Sequence, residues 1–188
     1  MDDRNIRERA ARTAVDGFIV VERIYRHAHQ ILMELKDKLK TDLNLTIESP
    51  VYSNSSSSSD PSSWIHKFRG LYLAESKLSL EDYKRKEAPI LFLQASLHNS
   101  KVKEPLLRYG IVEKIFNMST WKGIRFDDYF RMILAELHAS PGSNPVKASH
   151  CEARVQCVEK PLLDVREDSD VVDLAQQISE QYGELMLK

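Results

Sequence analysis

PILFLQASLHNSKVKEPLLRYGIVEKIF, residues 89–116, is the stretch on which the fold turns. From Ile90 to Ala95 it is almost uninterruptedly apolar, the pattern of a strand covered on both faces. A polar, proline-containing link follows. Beyond it, Leu107, Tyr109, Ile111 and Ile115 share one parity, and Arg108 and Lys114 fall on the other. Two strand-like runs joined by a generous polar loop read as an antiparallel hairpin. Parallel neighbours need a crossover of a dozen or more residues, and the link has no room for one.

Upstream, WIHKFRGLYLAES (64–76) reads as another strand. Trp64, His66, Phe68 and Tyr72 share a parity, which makes Trp64, His66 and Phe68 a candidate pocket or ligand face. Gly70 marks a bulge or a close backbone approach. The segment 79–88 reads as a short helix or turn. Leu45, Ile47 and Val51 suit a short edge strand that Pro50 weakens. Between these, residues 53–63 contain eight serines among Asn, Asp and Pro. Such a segment buries too little surface to offset its ordering entropy, so it is expected to be a mobile loop within the domain, not a tether between two.

Downstream, RFDDYFRMILAELH (125–138) places Phe126, Phe130, Ile133, Leu134 and Leu137 on one helical face, and SPGSNP ends that helix. Cys151, Ala153, Val155 and Cys157 alternate as a strand ending at Pro161. A last helix carries Val171, Leu174, Ala175, Ile178, Tyr182 and Leu185, with Asp168 and Ser169 at cap-like positions.

The N-terminus holds the longest periodic pattern. Ala11, Ala14, Phe18, Val21, Tyr25, Ala28, Leu32, Leu35 and Leu39 recur at spacings of three and four, widened by Ile24 and Ile31. A helix over residues 4–42 is about 57 Å long, more than a sheet of strands about 17–20 Å long covers. Its excess face, through Phe18, Val21, Tyr25, Ala28, Leu32, Leu35 and Leu39, is the expected interaction surface. The whole reading is one α+β domain over residues 1–188: a long N-terminal helix and further helices packed on a mainly antiparallel sheet of three to five strands.

Composition narrows the function classes. The net charge is −1, so no global field draws the chain to nucleic acid or to an acidic membrane. Charge is nonetheless uneven: residues 64–125 carry 12 basic and 6 acidic groups, and residues 126–188 carry the reverse. The N-terminus is densely charged and no run approaches 18 apolar residues, so no secretory signal or spanning helix is expected and the cytoplasm is the default location. Two cysteines are too few for a disulfide framework.

Motifs that carry chemistry are sparse. No phosphate loop, dinucleotide glycine pattern, nucleophile elbow or zinc-protease helix occurs, and nothing implies a cofactor. Cys151 and Cys157 share strand parity with His150 nearby, but six extended residues separate the thiols by roughly 20 Å, too far for one metal. Asp60, followed by Glu75 and Lys77, resembles the loose signature of the restriction-endonuclease-like superfamily. That resemblance implies carboxylates holding Mg²⁺ and a lysine steadying phosphate. The same acid–x–Lys spacing recurs at Glu34/Lys36 and Asp82/Lys84, so a phosphodiester-acting enzyme stands as the alternative. Lys84, Arg85 and Lys86 beside Tyr83 form a candidate basic patch, the ingredients of single-strand binding. The leading expectation is a non-catalytic interaction or regulatory protein working as a homodimer, with room for a further protein partner.

Overall fold

The computed structural model describes residues 3–49, 51–53, 67–74, 89–97, 104–119 and 125–186. The elements in chain order are α1 (Asp3–Asp42), β1 (Ile47–Glu48), β2 (Tyr52–Ser53), β3 (Phe68–Ala74), β4 (Ile90–Ser96), β5 (Leu106–Phe116), α2 (Phe126–Ala139), β6 (Val146–Ala148), β7 (Cys151–Pro161), a 3₁₀ turn (Leu162–Asp164) and α3 (Asp168–Met186). The fold is α+β. One sheet runs β1–β3–β4–β5–β7–β6, with β2 also on β3, and every pairing is antiparallel. Four long strands make its frame, and three pieces of two or three residues extend it.

The hairpin expected from residues 89–116 is present: Leu93 lies opposite Tyr109 and Phe92 opposite Gly110. Every residue of β4 is buried, because helices cover both faces of the sheet. On one face α1 and α3 pack over Leu71, Leu73, Leu91, Leu93, Leu107 and Tyr109. On the other, α2 packs over Phe68, Tyr72, Phe92, Val112 and Val155. The strand alternation sorts these residues, so the sheet divides two apolar clusters.

Two one-residue insertions adjust the pattern. Between Val112 and Lys114 the β5–β7 register shifts, leaving Glu113 as the extra residue. The bulge turns Ile115 to the α2 side with Val112, whereas strict alternation had put Ile115 with Leu107, Tyr109 and Ile111. The edge strand is similarly broken. Glu48 pairs Leu73 but Tyr52 pairs Gly70, one residue out of step. In the gap the Ser49 Oγ accepts from the Tyr72 N–H at 2.9 Å.

Glycines serve two close approaches. A Cβ on Gly110 would lie 1.9 Å from the Gln156 carbonyl oxygen, so no side chain fits there. A Cβ on Gly70 would meet Leu134 Cδ1 at 3.0 Å. This is the close approach the sequence suggested, and β3 pairs with β4 across it without a bulge.

The helix ends are closed by their own sequence. Asn44, at φ 51°, takes the left-handed conformation after α1, and the Leu45 N–H donates to the Lys40 carbonyl at 3.0 Å. The Asp128 carboxylate accepts the Arg125 N–H at 2.9 Å at the start of α2. At α3 the cap is Asp170, which accepts the backbone N–H groups of Arg166 at 2.7 Å and Glu167 at 3.0 Å. These bonds hold the Asp170 carboxyl below its ordinary range.

Candidate functional sites

The second half of α1 belongs to the core. Ala28, Leu32, Leu35 and Leu39 are completely buried against the sheet and α3. α3 runs beside this half in the same direction: the His27 imidazole bonds the Val165 carbonyl at 2.8 Å just before α3 starts. Near the other end, a Cβ on Gly183 would meet Leu43 Cδ2 at 3.3 Å. Tyr25 is half-buried, and burial raises its phenol pKa while Arg69 opposes the rise.

The first half of α1 is different. Residues 6–23 are exposed at every position. Phe18 is 74% exposed, Val15 57%, Val20 54% and Ile6 52%. Ile19 and Val21 join them as exposed large apolar groups. At 100° per residue, Ala10, Ala14, Gly17 and Val21 extend the line of Ala28, Leu32, Leu35 and Leu39. The buried stripe therefore runs on past the edge of the domain, with small residues on it. Of the seven residues expected to form an interaction surface, Phe18 and Val21 lie on this projection, Tyr25 at its root, and the other four inside the chain's own core.

A second concentration of chemistry lies under the C-terminal end of α2. Arg108 is fully buried on β5. Its Nε donates to Glu159 Oε1 at 2.7 Å and its Nη1 to the Leu137 carbonyl at 3.0 Å. Its Nη2 is buried without a hydrogen-bond partner. The neighbouring Gln94, opposite Arg108 in register, donates to the Leu134 carbonyl at 2.6 Å. Ser96 Oγ lies 2.7 Å from His138 Nδ1 in the same buried row. The last turn of α2 is thus tied down by sheet side chains, and the guanidinium sits at the negative end of the helix.

Arg108 also lines a cavity of about 400 Å³ with Leu137, Pro141, Gly142, Ser143, Asn144, Val155, Cys157 and Glu159. Cys157 is exposed and Cys151 buried, and neither is in a disulfide. Burial pushes the Cys157 thiol up to about 11, with Glu159 adding to the rise and Arg108 opposing it. Cys151 is likewise raised to about 11 by burial. Raised in this way, both sulfurs are held as thiols at neutral pH, which lowers their reactivity as nucleophiles. Sequence reasoning noted Arg108 only as the polar side of an alternating strand, and its pairing with Glu159 had no sequence signal.

The other sequence candidates separate. Phe68 is buried in the α2-side core with its ring 5.5 Å from that of His138, so it forms no open face. Trp64, His66, Asp60, Glu75, Lys77, Lys84, Arg85 and Lys86 lie outside the described residues, as does the serine-rich loop apart from Ser53, which belongs to β2. Among the described residues no group of three His, Cys, Asp or Glu side chains is placed to hold a metal, and no helix is long and apolar enough to cross a membrane. Compared with known families, curated proteins and solved structures, the chain matches none.

Proposed function

We propose that this chain is a non-catalytic interaction protein that self-associates through the projecting half of α1, pairing it antiparallel with the same segment of a second copy. The observation that carries the reading is the exposure of residues 6–23 together with their apolar content. Over this length, about 27 Å, the helix lacks the tertiary packing that supplies most helical stability in proteins. Its exposed Phe18 and Val21, three residues apart, share one face of the helix beside the line of small residues and offer apolar surface for an interaction.

Charge selects the occupant and the orientation. Residues 6–12 carry three arginines and one glutamate, whereas residues 13–22 carry Asp16 and Glu22 and no basic group. An antiparallel twofold pair lays the basic half of one helix along the acidic half of the other. A parallel pair lays like on like. The small residues Ala10, Ala14 and Gly17 let the two backbones approach closely.

Light scattering after size exclusion tests the proposal. At about 50 μM the full chain is expected at twice its 21.7 kDa mass. Phe18→Asp with Val21→Asp is expected to give the single mass with an unchanged sheet spectrum, since both side chains lie outside the core. Arg9→Glu with Arg12→Glu weakens the dimer, and adding Asp16→Arg with Glu22→Arg restores it. A monomeric wild type at this concentration ends the proposal.

A further inference from the structure

The geometry points to the cavity between the end of α2 and β7 as a binding site for a small zwitterion of the α-amino-acid type. Three features converge. The cavity holds about 400 Å³, within the range of roughly 300–1,000 Å³ that small-molecule sites occupy. One of its walls is Arg108, fully buried and with Nη2 unpartnered. Nε and Nη1 already hold Arg108 in place, through Glu159 and the Leu137 carbonyl. The guanidinium is therefore fixed at the cavity wall with one buried donor group that no protein atom satisfies, and an unsatisfied charged donor favours recognition of a carboxylate.

Glu159 then decides which carboxylate. Its side chain is 39% exposed and lies 2.7 Å from Arg108, so the site already contains one negative charge for its one positive charge. A simple anion would gain Arg108 and be repelled by Glu159. A simple cation would meet the reverse. A molecule with adjacent opposite charges satisfies both, placing its carboxylate on Arg108 and its ammonium on the second oxygen of Glu159. Leu137, Val155 and Pro141 supply apolar wall for a side chain, and Ser143 and Asn144 supply polar groups. The Cys157 thiol, neutral at pH 7 because burial holds it up at about 11, adds no charge that would disturb this balance.

Titration of the ¹⁵N-labelled full chain with each common α-amino acid, up to about 10 mM, is the test. The expected result is that at least one amino acid moves the amides of residues 142–144 and 155–159 saturably. Its deaminated carboxylate and its decarboxylated amine each bind at least about tenfold more weakly. Glu159→Gln, at a side chain with access to water, leaves the spectrum folded and weakens amino-acid binding about tenfold. Bound amino acid also slows alkylation of Cys157. The proposal is overturned by the absence of shifts with every amino acid, by a singly charged analogue that binds as well, or by undiminished affinity in Glu159→Gln. Because Glu159→Gln keeps the buried arginine, a failure of Arg108→Gln to fold leaves the test intact.

Discussion

Arg108 shows how far one residue's environment departs from its position in a strand. It alternates against Leu107 and Tyr109, as a solvent-facing residue does, yet α2 closes over that face and the guanidinium is buried. Arg108→Ala is expected to cost about 3–5 kcal/mol in a urea melt, since it empties a buried volume under α2 and leaves the Leu137 carbonyl without its partner. Arg108→Met keeps the volume and frees Glu159 to turn towards water, so a loss of only about 1–2 kcal/mol is expected. Gly110 is a sharper case. With the Gln156 oxygen 1.9 Å from any Cβ, Gly110→Ala is expected to yield no soluble folded protein, whereas Gly70→Ala costs about 1–3 kcal/mol and folds. The close approach at Gly70 was legible because the glycine interrupts an aromatic strand. Gly110 sits in an equally strand-like run, and only the path of β7 explains it.

At the scale of elements, periodicity located the helices and the long strands because each buries a face whose spacing the chain must repeat. α2 buries all five residues that its stripe named, and α3 buries five of its six, with Leu185 left exposed. What periodicity could not anticipate was a change of phase. The extra residue at Glu113 reverses the faces of β5, and nothing in VEKIF distinguishes it from continuous alternation. Caps were legible in type more than in position: Asp168 and Ser169 were expected at cap-like positions of α3, and the working cap is Asp170. Its depressed pKa carries a sign. Above the ordinary aspartate range, near about 4, the cap contributes in full. Below it, protonation as pH falls through the depressed folded value removes the contribution. Melting temperatures from about pH 5 to 2 should therefore fall more steeply for the wild type than for Asp170→Asn, whose neutral side chain has no carboxylate charge to lose.

For the whole molecule, the sequence made the length of α1 plain and left its placement open. The stripe is continuous, so nothing marks where the domain stops covering it. The structure puts that point near Ile24, leaving four of the seven expected interface residues to the chain's own core. A concentration dependence follows from self-association through the remainder. Amides of residues 6–23 should exchange quickly in dilute protein and become protected as the concentration rises, while those of β4 stay protected throughout. Equal exchange at every concentration would count against the pairing.

The two margins of the sheet have a consequence for how such chains meet. On one side the sheet ends in two-residue strands set one residue out of step. On the other it ends in the three-residue β6. Among the described residues the β1–β2 margin offers no long, regular ladder of unpaired amides and carbonyls onto which a foreign strand could zip, but β6 covers only Cys151–Ala153 and leaves the outer edge of β7 beyond it without a strand. The most apolar of the long strands, β4, lies deepest inside the sheet. The open edge of β7 carries Arg154, Glu159, Lys160 and Pro161, residues that discourage strand addition, so the proposed pairing through α1 would assemble the chain without opening the sheet.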